Sequence, residues 1–322
     1  MLGGATIVAF VVALAASRLL LSRFGRLALD EPNARSMHKN PVPRTGGIAV
    51  MAGTAASLAL GISEIWLPMT LALALAAVSF VDDLHGMPTA VRLLAHSAAA
   101  AVLVWHILSP MHLLTLGLLF LAVVWVTNLY NFMDGSDGLA GGMSVIGFSA
   151  YGIAALRAVD LPLAGLCAAL AAASAGFLVY NFHPAKIFLG DVGAIPLGFL
   201  AGALGLLGWR NDDWPLWFPL LVFGPFIADA TVTLLKRLIR GERVWQAHRD
   251  HYYQRILLMG FGHRGTAYLG YAVMAFCALA ALYGREQAAP AQAAIFGAAS
   301  VLLAAMAVWV EIRWSRFRRT DG

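Results

Sequence analysis

Charge is scarce in this sequence. Only 12% of the 322 residues are Asp, Glu, Lys or Arg, about half the share of an ordinary soluble domain. Hydrophobic residues make up 60% and the mean hydropathy is +0.76, which excludes a water-soluble globule. Cysteine is scarcer still. Cys167 and Cys277 stand singly inside apolar runs, which excludes a disulfide framework and a thiolate metal site. There is no low-complexity tract, no soluble domain and no clear internal repeat. The first apolar run has no basic residue before it and three just after. That is the reverse of a secretory signal, so this run is expected to remain as a span.

What is present is membrane-length apolar sequence. At about 20 residues per crossing, the chain divides into eleven expected segments: 3–21, 46–62, 66–81, 90–108, 112–130, 139–156, 161–180, 192–209, 214–235, 265–284 and 292–312. The expected fold is an all-α polytopic membrane protein, a single integral membrane domain over 1–322. Placing the N-terminus outside leaves Arg157, Arg210 and Arg285 on the outer side and the other 19 of the 22 Lys and Arg inside. This positive-inside bias puts the C-terminus in the cytoplasm. It also contributes to the pI near 9.5 and to adhesion to an anionic leaflet.

The polar residues are few and clustered. Residues 128–142, NLYNFMDGSDGLAGG, carry Asn128, Asn131, Asp134 and Asp137 between two apolar runs. Groups this polar at a membrane boundary face water or a cavity. Carboxamide and carboxylate oxygens suit Mg²⁺, or Mn²⁺. If a helix begins at Asp134, it and Asp137 share one face. Asp82 and Asp83 close the third segment, and adjacent carboxylates there call for a cation or a shared proton. Arg92 and His96 follow one turn apart; Arg92 reads as snorkelling or phosphate-binding, His96 as a packed polar residue. Asp191 stands where the positive end of the next helix favours an anion, with Lys186 shortly before it.

Two loops are basic. The first holds Arg35, His38, Lys39 and Arg44 before Gly46 and Gly47, and reads as a solvated charge loop or as an anion-binding loop assisted by helix-start amides. The last large loop holds Arg240, Arg243, His248, Arg249, His251 and Arg255 among Trp245, Tyr252 and Tyr253, a combination suited to phosphates and a base. Asp229 reads equally as a functional membrane carboxylate or as a partner to a neighbouring helix. All the acidic clusters fall at inner ends. Carboxylates holding a divalent cation, ringed by Arg and Lys, fit phosphoryl transfer between a cytosolic nucleotide and a membrane-borne acceptor. A transporter or lipid flippase using the carboxylates for ion coupling is the alternative, although carboxylates near the bilayer midplane are expected there. A CDP-alcohol phosphotransferase needs further paired aspartates downstream, and 139–156 contains no acidic residue.

Five stretches in order, RSMHKNPVPRTGG, VDDLHG, NLYNFMDGSDGLAGG, FLGDVG and AHRDHYYQR, resemble the polyprenyl-phosphate N-acetylhexosamine-1-phosphate transferases, glycosyltransferase family 4. The resemblance runs from Arg35 to Arg255. It implies a bacterial inner-membrane enzyme that starts a surface glycan, such as O-antigen of lipopolysaccharide or a cell-wall precursor. In that reaction undecaprenyl phosphate attacks the sugar-bearing phosphorus of a UDP-N-acetylhexosamine and releases UMP. By the same resemblance Asn131 and Asp191 match the Mg²⁺-holding positions. Asp82 and Asp83 match a pair near the acceptor phosphate, and Asp134 and Asp137 the acidic positions of the central motif; these four are the expected catalytic residues. Arg92 matches a phosphate-binding position, and Arg249 and His251 a loop that contacts the nucleotide sugar. Arg44, Asn128 and Lys186 complete the expected substrate-binding set. Tyr252 and Tyr253 stand where many relatives carry histidines, a pattern like that of the O-antigen-initiating branch with FucNAc- or QuiNAc-type donors, with GlcNAc remaining open. A homodimer is expected by the same resemblance, and no nucleic-acid partner.

Overall fold

The computed structural model describes residues 2–30, 41–59, 65–244, 246 and 248–320. Arg35, His38, Lys39 and Trp245 lie outside them. The described chain is helical apart from one short pairing, β1 (Leu29–Asp30) antiparallel to β2 (Val42–Pro43). The helices are α1 (Leu2–Arg23), α2 (Gly46–Leu58), α3 (Trp66–His85), α4 (Thr89–Leu108), α5 (Leu113–Phe132), α6 (Leu139–Arg157), α7 (Leu161–Asn181) and α8 (Asp191–Arg210). They are followed by α9 (Trp217–Val222), α10 (Gly224–Ile239), α11 (Tyr252–Ile256), α12 (Gly262–Gly284) and α13 (Ala289–Thr320), with a wider π turn at Leu257–Phe261 joining α11 to α12.

Among the described residues nine helices are long and apolar enough to cross a membrane, against eleven segments expected. The two missing ones have identifiable reasons. Of the segment expected at 46–62, the described residues form the 13-residue α2, about 20 Å at 1.5 Å per residue, and 60–62 lie outside them. The segment expected at 214–235 breaks between α9 and α10, where Pro225 follows Gly224. A proline there has no N–H to continue the ladder, and its ring crowds the carbonyl four residues earlier.

The buried centre is α6, α7 and α8, built largely from alanine, glycine and leucine. Without a hydrophobic force between helices in lipid, close backbone approach is what holds them. Backbone meets backbone where α2 crosses α8: a Cβ on Gly47 would lie 2.2 Å from the Cα of Gly193. The chain before it is pinned as well. Phe188 N donates to Pro43 O at 2.8 Å, Gly46 N to Phe188 O at 2.9 Å, and Gly47 N to Leu189 O at 2.8 Å. The amides of Gly46 and Gly47 at the start of α2 are therefore spent on the Phe188 and Leu189 carbonyls of the extended segment before α8, and not on an anion. Gly190, at φ 70°, turns that segment into α8, with the Arg44 carbonyl 2.2 Å from where a Cβ would stand.

Candidate active site

Five helix ends converge on one end of the bundle: the C-termini of α3 and α5 and the N-termini of α2, α4 and α8. Arg92, from the first turn of α4, lies between two of them. Its Nη1 is 3.0 Å from Asp82 Oδ2 and 3.4 Å from Asp191 Oδ2. Asp82 Oδ1 also accepts from Met87 N at 2.5 Å, closing the α3–α4 turn. Asp83 is held differently: its Oδ2 accepts from Val192 N, in the first turn of α8, at 3.1 Å, and Arg44 Nη1 stands 3.8 Å from its Oδ1. Neighbouring carboxylates thus point to different partners, which separates their charges. Asp134 joins this group from the loop after α5. Burial raises its carboxyl well above the ordinary range, and the charges of Asp191 and Asp83 add to the rise.

Asp137 does not join it. The helix begins only at Leu139, after Gly138 at φ 75°, so the expected shared face with Asp134 is not formed. Asp137 Oδ2 instead takes His183 Nδ1 at 2.6 Å and Ala185 N at 3.1 Å. Its Oδ1 is 3.4 Å from His263 Nδ1. The two imidazoles lie nearly parallel, with centroids 5.4 Å apart. A second acidic pocket, Asp137–His183–His263, therefore stands beside the first. Its histidines come from the turn after α7 and the start of α12, and nothing in their local sequence marks them as partners.

Through Asp191 and Arg92 the carboxylate group borders a cavity of about 740 Å³; Asp82, Asp83 and Asp134 lie outside its lining. Its polar end is lined by Arg92, His96, Asn128, Asn131, Asp191 and, from the last loop, Gln246, His248, His251 and Gln254. Its walls include Leu93, Leu121, Val124, Trp125, Ile195 and Leu234. His96, expected only as a packed residue, is buried with Nδ1 3.2 Å from Asn128 Oδ1, while Asn128 Nδ2 donates to Val124 O. Its position one turn from Arg92 was the available signal. Burial, with His251 and Arg237 nearby, pushes the His248 ring down to about 4, so it is neutral at physiological pH. Arg249 is half-buried two residues before His251, and the cavity lining passes over it. Lys186 is exposed in the turn between α7 and α8, outside that lining.

Asp229 is buried, and its partners make it a brace between helices. Its Oδ1 accepts from Tyr252 N at 2.9 Å and lies 3.1 Å from His251 Nδ1; its Oδ2 accepts from Tyr253 N at 3.0 Å. The side chains of Tyr252 and Tyr253 are turned elsewhere. Tyr252 meets Lys236 and Glu311 of α13, and Tyr253 donates to Phe132 O at 3.1 Å.

Among the described residues no three His, Cys, Asp or Glu side chains form a ready metal cage. The donor set still fits Mg²⁺, which is held by one or two carboxylates, with waters and substrate phosphates completing the shell. Asp191 is the suitable carboxylate. It is a hard oxygen donor at the cavity wall, with the Asn131 carboxamide beside it.

Comparison with known proteins gives a family for the chain. The family described as glycosyl transferase family 4 matches residues 65–208. A Bacillus subtilis protein named "probable undecaprenyl-phosphate N-acetylglucosaminyl 1-phosphate transferase" is 29% identical over 83% of this chain and 81% of its own length. A decaprenyl-phosphate N-acetylglucosaminephosphotransferase of Mycolicibacterium smegmatis is 29% identical over 83% of this chain and 78% of its own. A phospho-N-acetylmuramoyl-pentapeptide-transferase of Symbiobacterium thermophilum is 30% identical over 80% of this chain and 88% of its own.

Proposed function

The chain belongs to glycosyl transferase family 4, and from that premise we propose that it transfers N-acetylglucosamine 1-phosphate from UDP-N-acetylglucosamine to undecaprenyl phosphate. It is a multi-pass membrane protein. In this reading its site faces the cytoplasm, as the 19-to-3 division of cations favours, and its product is the first lipid-linked sugar of a surface glycan. The observation that carries the reading is the cavity beside Arg92. Its lining offers the Arg92 guanidinium, the Asp191 carboxylate and the amides of Asn128 and Asn131, and its walls are apolar enough for an isoprenoid chain.

The chemistry asks mainly for positioning and charge neutralisation. An oxygen of the lipid phosphate attacks the sugar-bearing phosphorus, the bond to the other phosphorus breaks, and UMP leaves. One pyrophosphate replaces another, so the step is close to isoenergetic and reversible. A phosphate monoester is already largely dianionic at neutral pH, its second pKa being about 6. The attacking oxygen therefore needs orientation more than deprotonation. Arg92 and Arg44 supply positive charge, and Asp82 and Asp83 hold those guanidinium groups in place. Mg²⁺ held by Asp191 with Asn131 would neutralise charge on the donor pyrophosphate. Asp137 belongs to the central motif and, with His183 and His263 brought to it from distant parts of the chain, is assigned to the donor side of the site.

Two observations favour GlcNAc over a deoxy-N-acetylhexosamine. Two of the relatives named above carry N-acetylglucosamine in their names. The Tyr252–Tyr253 pair that suggested the O-antigen branch is committed to Asp229, Lys236, Glu311 and Phe132 and lies outside the cavity lining. The test uses purified protein in nanodiscs with Mg²⁺, undecaprenyl phosphate and a panel of UDP-sugars, reading UMP and the lipid pyrophosphoryl sugar. UMP release with UDP-GlcNAc is expected. Release only with a deoxy sugar moves the enzyme to the O-antigen branch, and none with any UDP-sugar overturns the reading.

A further inference from the structure

Asp229 carries more contacts than a brace between helices needs. Its carboxylate receives the amides of Tyr252 and Tyr253, the first two residues of α11, and Thr233 Oγ1 at 3.3 Å on its own helix. Those bonds account for capping. The further one, to His251 Nδ1 at 3.1 Å, does something a cap does not require. A carboxylate accepts, so in this bond the proton belongs to His251 Nδ1, in competition with the Gln254 amide that the same side chain meets in the capping box of α11. Nε2 is then the ring atom left for the cavity that His251 lines.

Two aromatic rings restrict that orientation. The His251 ring stacks on Phe132 (centroids 6.2 Å, 24°) and on Tyr253 (5.9 Å, 21°). Phe132 immediately precedes the Met133–Gly138 loop that carries Asp134, and Tyr253 donates to its carbonyl. Gly135 of that loop leaves room for the Tyr253 hydroxyl, which would lie 2.2 Å from a Cβ. Facing His251 at 4.9 Å is His248. Here the assignment is reversed: the Asp250 amide donates to His248 Nδ1 at 3.2 Å, so the neutral ring carries its proton on Nε2. The two neighbouring histidines are therefore protonated on opposite nitrogens, His251 on Nδ1 by its carboxylate partner and His248 on Nε2 because its Nδ1 accepts a backbone amide.

We propose that Asp229 is a positioning residue for the transfer reaction, acting through His251 by fixing its Nδ1–H form and its ring orientation so that Nε2 addresses the substrate. The proposal rests on the transferase reading above. It places a residue of α10, outside every motif of the sequence, in control of the last loop. A carboxamide can accept at only one of its two positions, so Asp229→Asn cannot serve both His251 and Tyr253, although Asn caps helices about as well as Asp in general.

The experiment combines ¹⁵N-histidine NMR of the full chain in nanodiscs with a double-mutant cycle. His251 is identified by the resonance lost in His251→Gln. In the wild type its Nδ1 is expected to be protonated; a bare Nδ1 overturns the proposal, and this measurement does not depend on any Asp229 variant folding. Asp229→Asn is expected to lower kcat about 10–100-fold, the range found where an outer carboxylate orients a histidine. In the His251→Gln background the same change is expected to cost almost nothing, because it acts through the missing ring. An equal loss in both backgrounds, or an unchanged kcat in a folded Asp229→Asn protein, overturns the proposal. A wild type that releases no UMP would instead overturn the transferase reading.

Discussion

Asp191 has the sharpest expected consequence of any single side chain. It lines the cavity, pairs with Arg92 at 3.4 Å and stands beside Asn131. Asp191→Asn keeps the size of the side chain and removes its charge. Groups that only support a metal ligand are worth about 10–100-fold, so loss of the ligand is expected to exceed that in UMP release while the melting temperature holds. Normal turnover in that variant would remove Asp191 from the metal site. Asp213 makes a different case, at the opposite end of the bundle. It is 6% exposed, its Oδ2 has no hydrogen-bond partner, and burial with Asp160 nearby pushes its carboxyl from 3.8 up to about 7. A raised carboxyl binds its proton more tightly in the folded state, so its stabilising contribution is complete below the unfolded value and is lost as pH rises through about 7. The melting temperature is expected to fall as pH rises from about 4 to about 7 and to level off above that, and Asp213→Asn is expected to flatten that slope.

Helix against helix, the critical contact is α2 on α8. The two N-termini can approach because Gly47 and Gly193 lack side chains, and that approach carries Arg44 to Asp83. Gly47→Ala puts a methyl group onto backbone atoms that cannot rotate away. Overpacking of this kind costs about 1–3 kcal/mol, so a lower melting temperature is expected together with weakened activity. An unchanged melting temperature would show that the crossing is looser than described. The same contact shows how much was legible beforehand. Asp82–Asp83, Arg92 and Asp191 were recognisable in sequence because ionisable groups are conspicuous among apolar residues. The pairing of residues 43–47 with 188–189 was not, since backbone bonds leave no trace in residue identity.

For the whole molecule the open question is which way the bundle faces. Arg157, Arg210 and Arg285 all lie at helix ends away from the carboxylate group, as the distribution of cations requires. Single-cysteine variants read this out directly, because Cys167 and Cys277 are both buried. Ala288→Cys is expected to react with a membrane-impermeant maleimide in intact cells, and Arg240→Cys only after permeabilisation. The reverse pattern would place the site outside.

Hydropathy alone was enough to establish a membrane bundle, and to locate the helices near their true bounds, because lipid forces every backbone group into an internal hydrogen bond. Two segments escaped it: 46–62, of which the described helix covers only Gly46–Leu58, and 214–235, which Pro225 divides. The motif residues were visible for the same reason of contrast, since polar groups in an apolar chain must have a purpose. Their sorting was not. That Asp134 turns to Asp191 while Asp137 turns to His183 and His263, and that Asp229 holds His251, depends on helices far apart in the chain meeting at one end. Sequence spacing is blind to such meetings, because three-dimensional contact sets each carboxylate's partner.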